Sequence, residues 1–373
     1  MIRSDGAPGV SWARLAAPAV AAGLAVALGR GARAQIPVRT DSTGTIAGLV
    51  IIKDSGVPLP YSVVAIPSLN RERFTSDQGA FTLSDLPVGP IVVRVRHIGY
   101  SPADIAVNVR AGMTDTVRVS LSHIAVRLSA MEVHATVECK NPGVPHDAKD
   151  SAFAVVFDQL KLNADQYRLL TEAYPFRYWA ERRTMHTQAD GEARIDRVDT
   201  VVIDSRTPWR YKPGGVLSLG DGPPGFRPTE LNIPTLVHFA DQVFVDNHCF
   251  TNGGSETIEG VDLLRIDFTA ASRIRDPDVN GSMYLDPSTF QIKRSVIRLS
   301  RIPRNMPSLR AVEATTWFTN QLGSISMIAG ISSANRMRVP GDKPTAISAW
   351  LEDQQLIRVQ FLRGMPGEDV KKP

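Results

Sequence analysis

The 373-residue chain is short of most features that announce a chemistry. It has only two cysteines, Cys139 and Cys249, too few for a disulfide-framed miniature domain or a cysteine-rich zinc module. None of its seven histidines has a glutamate three residues later, so an H-x-x-E metal pair is missing. No G-x-S-x-G pentapeptide occurs, which removes the nucleophile elbow of an α/β-hydrolase, and no G-x-x-x-x-G-K-[ST] loop cradles a phosphate. The longest apolar run, Leu15 to Leu28, falls below the about 20 residues that a helix needs to cross a bilayer. Basic residues never run longer than two in a row, as at Arg182-Arg183, which leaves no electrostatic footprint for nucleic acid.

What is present begins with an address. Arg3 and Arg14 make a basic leader, the apolar run follows, and Ala32-Arg33-Ala34 before Gln35 has the small-x-small pattern of a signal-peptidase site. Residues 1–34 therefore read as a secretory signal and 35–44 as a short extension. The leader holds four of the 42 basic residues and one of the 38 acidic ones, so 38 face 37 in the remainder. A nearly neutral exported chain with two and only two cysteines is expected to bridge Cys139 to Cys249.

From Thr45 to Leu121 short β-type runs alternate with turn residues at Asp54-Ser55-Gly56, Asp77-Gln78-Gly79 and Leu86-Pro87-Val88-Gly89. Ile91, Val93 and Val95 point one way and Arg94 and Arg96 the other, the period-2 mark of a strand with one buried face. About seven such strands predict a small β-sandwich over 45–125. Gly48, Gly56 to Pro60, Ser76 to Phe81, Leu86 to Gly89 and His97 to Tyr100 resemble the carboxypeptidase regulatory-like family of transthyretin-type sandwiches. These are fold residues, so the resemblance implies no catalysis. The two larger assemblies that carry such a domain are unsupported: a metallocarboxypeptidase would need its zinc pair, and a TonB-type receptor a long series of membrane strands.

Residues 126–146 read as a linker, and 147–373 as a second, mostly antiparallel β domain of α+β character. Phe153, Val156, Phe157 and Leu160 lie at helical spacing, and Asn163 reads as the cap of a second helix carrying Tyr167 and Leu170, a short helical pair near 149–173. Arg177 to Gln188 and Ala193 to Ser205 read as a solvent-exposed, twisted hairpin because both faces carry charge. Asp276-Pro277-Asp278-Val279-Asn280-Gly281 begins like a calcium loop, but position 12 is Pro287, so Asn280-Gly281 reads instead as a hairpin turn. Asp286 to Thr289 makes the next turn. Cys139, His248-Cys249-Phe250 and Gly281 to Thr289, in that order, resemble the C-terminal part of exported bacterial proteins that begin with a regulatory-like sandwich; the resemblance brings no activity and supports the cysteine pairing.

No catalytic residue, metal ligand or cofactor is assigned. The irregular stretch from Thr207 to Pro234 offers Trp209, Tyr211 and Phe226 as candidate ligand-binding rings. The expectation is a non-catalytic binding module of the bacterial cell envelope, periplasmic or associated with the outer membrane or the outside, with an envelope protein, glycan or peptide as partner and no nucleic acid. Two alternatives stand beside it: a carrier of an apolar ligand such as lipid, and a hydrolase whose site is assembled from distant residues.

Overall fold

A computed structural model of the protein describes residues 43–126, 138–144, 151–187, 191–206, 209–219, 229–338 and 347–366. The signal, most of the extension, most of the linker and Phe226 lie outside the described residues. The chain is mainly β, as expected.

Seven strands build the N-terminal sandwich: β1 (Thr43–Ile52), β2 (Val63–Ile66), β3 (Arg71–Phe74), β4 (Ala80–Pro87), β5 (Gly89–Arg96), β6 (Ala103–Val109) and β7 (Thr114–Leu121). One sheet has the order β4-β1-β7 and the other β3-β2-β5-β6; β1 and β7 run parallel and the other pairs antiparallel. The alternation that predicted β5 is realised, with Ile91, Val93 and Val95 buried and Val92 and Arg94 exposed. Gly79 turns the chain at φ +71°, a conformation that L side chains rarely adopt, and delivers Phe81 into the core.

The second part opens with α1 (Ser151–Ala173), followed by β8 (Phe176–Thr187), β9 (Ala193–Asp204), the short pair β10 (Leu217–Leu219) and β11 (Thr229–Leu231), and α2 (Gln242–Val245). Then come β12 (His248–Ile258), β13 (Val261–Ala270), β14 (Val279–Leu285), β15 (Ile292–Leu299), β16 (Leu309–Leu322), β17 (Ile325–Arg338) and β18 (Ile347–Phe361). Nine of these strands form one antiparallel sheet of order β12-β13-β14-β15-β16-β17-β18-β8-β9. The meander is sequential from β12 to β18, so β8 and β9, first in the chain, close the order at its far side.

Two expectations are corrected. The two helical segments form one continuous helix, and Asn163 is buried inside it instead of capping a second one. Its amide nitrogen donates to the carbonyls of Gln159 and Phe290 at 2.8 and 2.9 Å, and its oxygen accepts from Ile292 N at 3.0 Å. A side chain that suits a helix start is used here to tie the β14–β15 turn to the helix, a partner 127 residues away that sequence spacing cannot reveal. Likewise Asn280 and Gly281 are not a turn but part of β14. Gly281 sits opposite Phe268, and a Cβ there would lie 2.7 Å from the ring and overlap the Val296 carbonyl. The glycine makes room for an aromatic ring in the sheet, whereas the chain reverses earlier, between Ala270 and Val279. The Asp286 turn is as expected: its Oδ1 accepts from the backbone of Ser288 and Thr289 at 2.8 and 2.9 Å.

α1 joins the two β parts. Its Phe153, Phe157, Leu160 and Leu170 share one core with Phe268, Met283 and Ile325 of the long sheet and with Val63, Phe74 and Ile98 of the sandwich. At the sandwich contact Glu72 bridges Arg96 and Arg168 at 3.1 and 2.8 Å, Asp165 pairs with Arg96 at 3.1 Å, and Gly99 N donates to Gln159 Oε1 at 2.8 Å.

Candidate interaction surface

Cys139 and Cys249 are bonded, with their Cα atoms 5.6 Å apart. Residues 138–144 lie along β12, where Gly143 N donates to His248 O and Ser272 N donates to Cys139 O. The bridge thus fixes the chain leading toward α1 against the first strand of the sheet.

Two of the three candidate rings, Trp209 and Tyr211, lie within the described residues. Tyr211 is only 4% exposed, packs edge-on against Phe244, and donates its hydroxyl to Asp278 Oδ2 at 2.8 Å. Burial and the neighbouring carboxylate push its pKa far up, so the hydroxyl stays a donor. Trp209 is half-buried against the same core, and its carbonyl faces His238 Nε2 at 2.8 Å. Both rings fold back onto the core.

Around Tyr211 lies a polar cluster that the sequence did not announce. Asp278, fully buried, accepts from Tyr211, from Gly214 N at 2.7 Å and from Val279 N at 2.8 Å, and its Oδ1 lies 3.6 Å from His248 Nε2. Burial raises the pKa of this carboxyl, but the imidazole, Gly214 N and the Tyr211 hydroxyl outweigh it and hold the group below its ordinary value. His248, also fully buried, directs Nδ1 at Phe244 O (2.9 Å) and Nε2 at Val279 O (3.1 Å). Every polar atom of this carboxylate–imidazole–phenol set is spent on protein partners, which makes it a clasp between β12, β14 and the Tyr211 loop. A second pairing, Ser62 Oγ with His97 Nδ1 at 3.0 Å, is likewise buried, and the hydroxyl also lies 3.1 Å from Leu59 O. Burial lowers the pKa of His97 to about 4.

The open chemistry lies where the sheet outruns its helix. Among Ile331–Arg338, 348–361, 177–187 and 193–204 only Ala180 is buried, whereas β13 to β16 bury residues such as Ile266, Phe268, Met283, Ile297 and Phe318 in the core that α1 shares. The register puts Tyr178, Ala180 and Arg182 on the helix side, next to Val359, Leu356 and Gln354 of β18 and to Ile203, Val201 and Asp199 of β9. On this side the apolar core runs out gradually. Tyr178, Ile328, Ile331 and Leu356 line a shallow depression over Ala180 and Gly330 with room for about 10 Å³. Beyond it stand charges: Arg182 grips Asp199 with two bonds of 2.9 and 2.7 Å, and Gln354 donates to Glu352 at 2.7 Å. The bidentate bond from Arg182 lowers the pKa of Asp199, and burial lifts that of Tyr178 to about 12. The charged pattern of 177–205 marked β8 and β9 as exposed; that β17 and β18 share this openness depends on how far α1 reaches, which no local pattern encodes.

Comparison with known proteins agrees with the sandwich. Residues 45–122 match the carboxypeptidase regulatory-like domain and are one. Among solved structures, the chain is similar to the minor pilin GBS52 of Streptococcus agalactiae at 19% identity and a TM-score of 0.21, over 25% of this chain and 50% of the pilin, so it spans about half the length of that relative. It is similar to a LolA superfamily protein from Nitrosomonas europaea at 12% identity and a TM-score of 0.30, over 58% of this chain and 97% of that one. A DUF1329 family protein from Desulfovibrio piger aligns at 9% identity and a TM-score of 0.28, over 57% of this chain and 93% of that one. No curated protein matches the chain. The disulfide fits an exported protein, and among the described residues no helix is long and apolar enough to cross a membrane.

Proposed function

We propose that the chain is an exported, non-catalytic binding protein of the bacterial envelope that holds an extended polypeptide against the open half of its long sheet, on the side of Tyr178, Ala180 and Arg182. The observation that carries this reading is the openness of one half of the sheet: β17 and β18 have 14 and 15 residues, and Ile331–Arg338, 348–361, 177–187 and 193–204 bury only Ala180. A surface with an apolar floor at Tyr178, Ile331 and Leu356 and a charged rim at Arg182, Asp199 and Glu352 suits an amphipathic segment, with the floor supplying area and the rim orientation. Absence of catalysis rests on the closed state of the two histidine–oxygen pairings: His248 and His97 are both buried and both engaged.

An apolar-ligand carrier needs an enclosed cavity of about 300 Å³ or more. The depression at Leu356 has about 10 Å³, so that site does not enclose an acyl chain. Native mass spectrometry of the protein purified without reductant from a Gram-negative host separates the two. A bare disulfide-bonded chain that binds peptides selected from an extended-peptide library supports the binding reading. A retained lipid mass released on denaturation defeats it in favour of the carrier.

A further inference from the structure

Among the described residues, the last strand of the long sheet has no neighbour on its outer side. β9 closes the order, and eight of its twelve side chains are exposed, among them Ile195, Val198 and Val202 at 58, 54 and 56%. The other edge is treated differently: residues 138–144 lie on β12, held by the disulfide and by the bond from Gly143 N to His248 O. A long edge strand with an apolar row is a template for pairing unless something blunts it.

We infer that β9 is a homodimer contact, pairing antiparallel with β9 of a second copy about a two-fold axis through Val198, which continues the sheet across the dimer. Charge fixes both the occupant and the register. A two-fold axis perpendicular to the sheet keeps each side chain on its own face, so the axis must pass through a residue position. Centred on Val198, it sets Arg197 opposite Asp199 of the second copy and Asp199 opposite its Arg197, two cross-strand pairs of unlike charge on the face of Arg182. Centred one residue either way, it would set Arg197 against Arg197 or Asp199 against Asp199, directly opposed like charges that oppose pairing. Arg197 already reaches its own Asp199 Oδ2 at 2.7 Å and Arg182 holds both oxygens of that carboxylate, so the Arg197 of the second copy joins an existing cluster as its third cation. On the opposite face Val198 meets Val198. The register shift between Thr184 and Met185 leaves Asp196 as an extra residue, which brings Ile195 opposite Thr200 of the second copy. This contact uses the edge of the sheet and is independent of what the open half of the sheet binds.

The test is sedimentation velocity of the full exported chain from about 1 to 100 μM, together with single-cysteine additions in the oxidised protein, whose own cysteines are already bonded. The wild type should sediment as a dimer that the exposed substitution Val198→Asp converts to a monomer with an unchanged melting temperature. Val198→Cys should crosslink to a dimer on mild oxidation. Thr200→Cys should not, because its two copies would stand about four residues of strand, roughly 13 Å, apart. A wild type that stays monomeric throughout, a dimer indifferent to Val198→Asp, or crosslinking of Thr200→Cys equal to that of Val198→Cys would each overturn the inference.

Discussion

Opening the Cys139–Cys249 bridge should cost the fold about 5 kcal/mol. The two residues are 110 apart in sequence, and the chain-entropy relation assigns about 4.8 kcal/mol at 25 °C to a closed loop of that size. The native state should survive the loss with little change. Cys139 is 3% exposed against Ala271 and Ile274, and Ser272 N and Oγ, each 2.8 Å from Cys139 O, hold the segment without the sulfurs. The effect therefore falls on the unfolded chain, which gains a free loop containing α1, β8 and β9. The assay is urea unfolding of the wild type, of reduced wild type and of Cys139→Ala/Cys249→Ala, followed by tryptophan fluorescence and far-UV circular dichroism. The expected result is a native spectrum in all three and a stability lower by about 4 to 5 kcal/mol in the last two. A loss below about 1 kcal/mol would refute the reasoning, because the unfolded loop would then be restrained by something other than the bond.

Gly281→Ala should destabilise by about 1 to 3 kcal/mol, read by urea titration, since its methyl group must displace the Phe268 ring or the Val296 carbonyl. Asn163→Leu should cost about 2 to 4 kcal/mol: it leaves Ile292 N without its acceptor and Phe290 O without its donor in a buried site, and thermal melting would show it. His97, held neutral by burial with a pKa of about 4, makes the unfolded chain the stronger proton binder between pH 4 and the ordinary value of 6.5. Its contribution is therefore complete above about pH 6.5 and falls as the pH drops toward 4, by about 2 to 3 kcal/mol at pH 4.5, and His97→Gln should flatten that part of the stability profile.

The sandwich was legible because its signals are local: a period-2 row such as Ile91, Val93 and Val95, and turns made by residues such as Gly79, whose conformation needs no distant partner. The helix at 151–173 was legible as helical from its apolar spacing and illegible as one piece, since Asn163 carries a cap's chemistry and spends it on Phe290 and Ile292 across the core. Asn280-Gly281 misled for the same reason: the dipeptide suits a turn, but here the missing Cβ admits Phe268. The cysteine pairing followed from number and export alone. The clasp of Tyr211, Asp278 and His248 joins residues up to 67 apart, and the open half of the long sheet is defined by where α1 ends above it. Both are products of tertiary packing, which single-sequence periodicity does not carry.

The central claim is that the open half of the long sheet, on the side of Tyr178, Ala180 and Arg182, is the binding surface, and isothermal titration calorimetry of one library-selected extended peptide tests it most directly. The titrations compare wild type, Gln354→Arg on that face and Val243→Arg, which alters an exposed position on α2. The account predicts binding by the wild type and by Val243→Arg and at least tenfold weaker binding by Gln354→Arg, a difference of about 1.4 kcal/mol. Equal affinity in all three proteins, or loss only in Val243→Arg, would contradict it.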